Sequence, residues 1–177
     1  MFKIAVLVSG GGSNLQSIID KIEEGYLKNC KIEIVIGDRP NIYGIERAEK
    51  EGIKTLTLDR KIYKNRLSNE ICENLYGKVD LIVLAGWLSI LNGDLINKFE
   101  NKIINIHPSL IPSFCGEGMY GIKVHQRALE YGVKISGCTV HFVDEGTDSG
   151  PIIIQKSVPV FQKIQQKYYK REFRKRT

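Results

Sequence analysis

Short apolar runs alternate with segments whose apolar residues recur at helical spacing along nearly the whole chain. The runs at 2–8, 31–37, 54–58, 81–85, 102–107, 136–143 and 150–159 read as strands. Residues 43–51, 63–76, 92–99 and 124–131 read as helices, as does a segment from 13 carrying Leu15, Ile18, Ile19 and Ile22 on one face. Ser13 or Asn14 is expected to cap that first helix. The run at 81–85 is near-continuously apolar and belongs to a central strand covered on both sides. Residues 108–122 hold three Gly and two Pro without a period and read as a loop. The alternation predicts an α/β fold: one domain, three layers (α/β/α), and a mostly parallel sheet.

At 177 residues, with no internal repeat or linker, the chain fits one domain with a real core. No apolar run approaches membrane-spanning length. The opening run leads into a glycine loop rather than a cleavage site, so a cytoplasmic protein is expected. Cys30, Cys72, Cys115 and Cys138 lack C-x-x-C spacing and are expected as free thiols. His107, His125 and His141 have no metal-ligand spacing, and no metal is expected. His141, between Val140 and Phe142, reads as a structural histidine. The formal charge of +6 is concentrated at one end. Seven of the 26 basic and one of the 20 acidic residues lie in 161–177, leaving 19 of each sign before them. The neutral body argues against nucleic acid as a partner.

Two stretches carry chemistry. In the first, Ser9-Gly10-Gly11-Gly12-Ser13-Asn14 follows the first strand. Glycines let backbone N–H groups approach a ligand closely, and a helix start favours an anion such as phosphate. The Ser13 hydroxyl and Asn14 amide add donors. The Gly-Lys-Ser/Thr of a nucleoside-triphosphate loop is missing, and Leu15 stands at the third small position of a dinucleotide fingerprint. A ligand-free strand-to-helix turn also fits.

In the second, Asn105 and His107 lie two apart on a strand and so share a face, and Pro108 ends the strand. An amide beside an imidazole can hold a carbonyl that is becoming an oxyanion. Asp148, on the Gly-rich turn after 136–143, is the carboxylate that would keep the imidazole charged. The same residues also fit a strand end closed by ordinary turn formers.

Asn-Ile-His-Pro-Ser-Leu-Ile-Pro at 105–112, followed by Asp-Ser-Gly-Pro-Ile at 148–152, resembles the formyltransferases that use 10-formyltetrahydrofolate. Within them, residues 9–16 are similar to the phosphoribosylglycinamide formyltransferases of purine synthesis, and the similarity runs from residue 1 to about 160. The resemblance implies the formyltransferase fold and formyl transfer to the amine of glycinamide ribonucleotide. It implies oxyanion stabilisation by Asn105 and protonated His107, with Asp148 keeping His107 charged and oriented. Gly12, Ser13 and Asn14 would hold the ribonucleotide phosphate. Leu88, Ser89, Ile90 and Leu91 match the segment lining the pterin pocket, and Asn105 also faces the folate. Trp87, Leu88 and Leu91 fit equally as core at a strand end. Ser89 stands where some relatives carry Arg. Arg66 matches a folate-contacting Arg and equally fits a solvated helix face. The partners implied are two small molecules, without membrane or nucleic acid, for a monomer or homodimer.

Related enzymes share the Asn-x-His…Asp set. Methionyl-tRNA formyltransferases would need further C-terminal residues for tRNA, and formyltetrahydrofolate deformylases commonly carry a regulatory domain. From about Gln162 the chain departs from the family pattern into a basic stretch without a helical face. A permissible codon set from Lys163, read in a shifted frame, encodes a helix start followed by apolar positions at helical spacing. The tail is therefore expected to be out of frame. Two other classes remain open: a nicotinamide-dependent oxidoreductase, supported by the first loop and Asp38, and a non-catalytic binding protein using the tail.

Overall fold

A computed structural model describes residues 1–161; the tail from 162 onwards, with its expected change of frame, lies outside the described residues. The elements run β1 (Phe2–Val8), α1 (Ser13–Glu23), β2 (Cys30–Gly37), α2 (Tyr43–Lys50), β3 (Thr55–Thr57), α3 (Arg60–Tyr63), a 3-10 turn (Lys64–Arg66) and α4 (Leu67–Leu75). They continue through β4 (Leu81–Leu84), α5 (Asp94–Lys98), β5 (Ile103–His107), α6 (Ile122–Tyr131), β6 (Ile135–Phe142) and β7 (Ile152–Pro159). Among the described residues the strands form one seven-stranded sheet, in the order β3-β2-β1-β4-β5-β6-β7. β1 to β5 pair in parallel, whereas β6 and β7 are antiparallel additions.

The period-2 geometry of the central strands sorts the core into two halves. Ala5, Leu7, Ile36, Ile82 and Leu84 face α4 and α5, where they meet Ile71, Leu75 and Leu95. Ile4, Val6, Val8, Val35 and Val83 face α1 and α2, where they meet Leu15, Ile19 and Ala48. Helices on both sides satisfy a sheet whose central strands are apolar over residues 4–8 and 81–84. Burying one Leu or Ile fully is worth about 1.5–3 kcal/mol, so these two layers dominate cohesion. No helix among the described residues is long and apolar enough to cross a membrane.

Three local expectations change. The helix read over 63–76 is broken, because Asp59 caps α3 through the Lys61 N–H and Lys64 then takes a positive φ of 48°. Neither Ser13 nor Asn14 caps α1: the N-cap is Gly12, at φ 70°, without a side-chain bond. The last strand forms as expected but is not a buried apolar one: it carries Gln155, Lys156 and Ser157 and is exposed along its length, being the edge of the sheet.

Gly12 is fixed by packing as well as by its backbone angle. A Cβ there would lie 2.7 Å from the Gly44 Cα, while Gly11 has open space around it. The two segments are joined by the Gly44 N–H on the Gly10 carbonyl at 2.9 Å, and Arg47 Nε donates to the Gly11 carbonyl at 2.9 Å. Gly12→Ala is expected to lower the unfolding free energy by about 1–3 kcal/mol in a urea titration. Gly11→Ala is expected to shift it by less than about 1 kcal/mol.

Candidate active site

The strand order reverses around β1: β2 lies on one side and β4 on the other. In such sheets the crevice beyond the carboxyl ends of the strands is where ligands bind. Here the glycine loop after β1 and the 86–91 loop after β4 flank that point. Ser9 ties them together, its N–H donating to the Gly86 carbonyl at 3.2 Å and its hydroxyl accepting the Leu88 N–H at 2.8 Å. Because Gly12 caps α1 without a side chain, the first N–H groups of that helix stay free for an anion. Ser13 is exposed and Asn14 half-buried at this end.

In the 86–91 loop, burial alternates. Trp87 and Leu91 are core, at 8% and 6% exposure, while Leu88 and Ile90 stand at 42% and 67%. The Ser89 hydroxyl donates to Asp38 Oδ2 at 2.7 Å. Asp38, fully buried at the end of β2 and its turn, also pairs with Arg39 Nε at 3.1 Å and Arg60 Nη1 at 3.6 Å. A carboxylate so enclosed is not free to take the ribose hydroxyls of a nicotinamide dinucleotide, which removes the role that the oxidoreductase reading gave it. Arg66 pairs with Glu70 one turn along at 3.9 Å, its side chain 71% exposed.

Beyond β4 lies β5, and at its carboxyl end Asn105 and His107 share a face, as their spacing predicts. The antiparallel register sets Asn105 opposite His141 and His107 opposite Thr139. The Thr139 hydroxyl donates to the Ser109 carbonyl at 2.7 Å and accepts the Ile111 N–H at 3.1 Å, which holds the turn after His107. His107 itself is buried. Its Nδ1 lies 3.3 Å from Asp148 Oδ2, and its Nε2 donates to the Phe114 carbonyl at 2.9 Å. Both ring nitrogens therefore face oxygen acceptors, and a ring carrying two protons can serve both.

Asp148 reaches this place from the turn between β6 and β7, at a positive φ of 55°. The turn is shaped by Asp144, whose Oδ1 accepts the Gly146 N–H at 3.0 Å and the Ser149 hydroxyl at 2.7 Å. Gly150 then passes so close to β6 that a Cβ would sit 1.9 Å from the Phe142 carbonyl oxygen. The second job of Asp148 Oδ2 is to accept the Gly116 N–H at 3.0 Å, which draws the 108–121 loop over the imidazole. Cys115 lies in the same loop, its thiol donating to the Pro112 carbonyl at 3.2 Å. Burial pushes that thiol up, and the nearby Asp148 carboxylate adds to the effect.

The structure thus gathers Asn105, His107 and Asp148 into one cluster, at the same carboxyl edge of the sheet as the glycine loop and the 86–91 segment. Sequence reasoning missed the Phe114 and Gly116 backbone groups, Ser9, and the engagement of His141 with Asn105. Only the last had a signal, since two facing strand patterns joined through 108–135 can pair antiparallel. His125 is an exposed residue of α6.

The chain matches the family described as Formyl transferase over residues 2–177. It is 43% identical over 164 residues to a phosphoribosylglycinamide formyltransferase of Haemophilus influenzae, covering 91% of this chain and 74% of that protein. It is 44% identical over 161 residues to the human trifunctional purine biosynthetic protein adenosine-3, covering 89% of this chain. The chain spans only 12% to 16% of the length of such trifunctional relatives. Among solved structures, a glycinamide ribonucleotide transformylase from Symbiobacterium toebii superposes with a TM-score of 0.83 at 43% identity, over 91% of this chain and 74% of that one. With a matching fold and a match across nearly every residue, the chain belongs to the formyl transferase family.

Proposed function

We propose that residues 1–160 form a domain that transfers the formyl group of 10-formyltetrahydrofolate to the primary amine of glycinamide ribonucleotide. The observation that carries this reading is the convergence of Asn105, His107 and Asp148 at the same carboxyl edge of the sheet as a helix N-terminus left open by Gly12. Phosphate of the ribonucleotide is assigned to the N–H groups around Gly12, Ser13 and Asn14. The pterin is assigned to the segment of Leu88, Ser89, Ile90 and Leu91, whose exposed Leu88 and Ile90 offer apolar surface at the crevice. Because Ser89 is turned to Asp38, the contact to folate there rests on the backbone. Arg66 is assigned to the outer part of the folate. Free cysteines at 30, 72, 115 and 138 fit a reducing, cytoplasmic compartment.

The amine lone pair attacks the formyl carbon, and the carbonyl π electrons move to oxygen. An N–H of Asn105 and a ring N–H of His107 receive that charge. The attacking nitrogen loses a proton, the carbon–N10 bond breaks, and N10 takes a proton as it leaves. His107 is placed to carry one of these protons. Its Nδ1 faces Asp148, so Nε2 is the donor for substrate, and the formyl oxygen takes the position now held by the Phe114 carbonyl. The 108–121 loop must yield for this to happen, and Gly116, Gly118 and Gly121, all at positive φ, give it the freedom.

The purified chain, given a 10-formyl folate and glycinamide ribonucleotide, is expected to release deformylated folate only when the ribonucleotide is present, followed by absorbance. Release without an acceptor, or none with it, would count against the assignment. In that assay His107→Ala is expected to lower kcat by about 10²–10⁴-fold and Asn105→Ala by about 10²–10³-fold. A direct transfer has no use for a thiolate, and Cys115 is held as a thiol. Cys115→Ser is therefore expected to keep kcat within about threefold of the parent, and iodoacetamide is expected to alkylate Cys115 more slowly than free cysteine at neutral pH.

A further inference from the structure

We infer that His141 is a positioning residue for the reaction proposed above: its ring fixes which way the Asn105 amide points. The geometry requires one tautomer. His141 Nδ1 lies 2.8 Å from the Phe142 carbonyl oxygen, which has no hydrogen to give, so Nδ1 carries the proton. In the neutral ring Nε2 is then a bare acceptor. Asn105 Nδ2 sits 3.2 Å from it and supplies the hydrogen.

That contact removes a freedom that asparagine otherwise has. An amide turned by 180° would set Oδ1 against the Nε2 lone pair, acceptor against acceptor, in a place where His141 is only 2% exposed and water cannot mediate. With one Nδ2 hydrogen engaged, the second N–H keeps a fixed direction and serves the formyl oxygen, while Oδ1 is left to face the attacking amine. The two residues are direct cross-strand partners, so backbone pairing holds the distance. Asp148 Oδ1 lies 3.7 Å from the same Nε2, beyond hydrogen-bonding reach, so it does not displace Asn105 from the neutral ring.

Three measurements test this. Long-range ¹H–¹⁵N spectra of the wild-type chain are expected to show His141 with a protonated Nδ1 and an unprotonated Nε2; the opposite tautomer would overturn the inference whatever the activity. In kinetics, His141→Phe, which keeps bulk and loses the acceptor, is expected to lower kcat about 10–100-fold with both KM values within about threefold. His141→Gln, whose side-chain oxygen can stand near the Nε2 position, is expected to return kcat to within about fivefold of the parent. In an Asn105→Ala background, His141→Phe is expected to cost under about twofold more, because the residue it positions is gone. Equal losses in both backgrounds, or a Gln variant as slow as Phe, would mean a merely structural histidine. The tautomer without formyl transfer by the wild-type chain would sink the functional reading and leave the positioning geometry standing.

Discussion

Everything at the site depends on how β5 is paired. On one edge it meets β4 in parallel, as a further member of the central sheet; on the other it meets β6 in antiparallel. The antiparallel strand exits beside Ile104, towards the amino end of β5, and the 144–151 turn then folds back towards His107. Asp148 thereby arrives at the imidazole from a different part of the chain, and His141 lies level with Asn105. Moving β6 by one residue against β5 would turn Thr139 and His141 to the other face, away from Asn105 and His107. The hydrogen bonds that Thr139 makes to Ser109 and Ile111 are therefore part of the site, since they fix the turn next to that register.

The other side of the crevice is built by close approach rather than by charge. Gly12 and Gly44 let α2 press against the glycine loop, and Ser9 fastens the loop to Leu88. Asp38 then connects β2, α3 and the 86–91 segment through Arg39, Arg60 and Ser89. A carboxylate with no exposure must be paired to remain there, and removing one partner from such a group is far more damaging than the net worth of the bond. Ser89 thus has a local role: its hydroxyl completes the partners of a buried carboxylate.

The layer architecture was legible because it follows from periodicity. Apolar runs such as Leu-Ile-Val-Leu have few ways to be covered, and the sheet with helices on both faces is one of them. Asn105 and His107 were legible for the same reason, as two residues on one strand face. Asp148 was legible only as a carboxylate on a suitable turn. What escaped were relations between elements. The sequence pattern over 63–76 is helical throughout, yet Asp59 starts a helix earlier and Lys64 interrupts it. Ser13 and Asn14 look like caps, but the tight contact with Gly44 makes Gly12 the capping position. His141 looked like an ordinary strand histidine because its importance lies in the cross-strand residue and in the carbonyl beside its Nδ1, neither of which local pattern reveals.

Two buried histidines on neighbouring strands are made chemically different by the oxygen atoms around them. His141 meets one acceptor and one donor, so its ring is fixed as a passive support. His107 meets acceptors at both nitrogens and is a double donor in waiting. A buried donor left without a partner costs about 1–3 kcal/mol, a cost that the Phe114 carbonyl at Nε2 avoids. Replacing that carbonyl by a formyl oxygen exchanges one neutral acceptor for another and is close to neutral. The balance changes as the amine attacks, because hydrogen bonds to a charged oxygen are roughly twice as strong as those to a neutral one. The loop contact therefore competes with the ground state of the proposed reaction and loses to its transition state, which is the direction that accelerates chemistry.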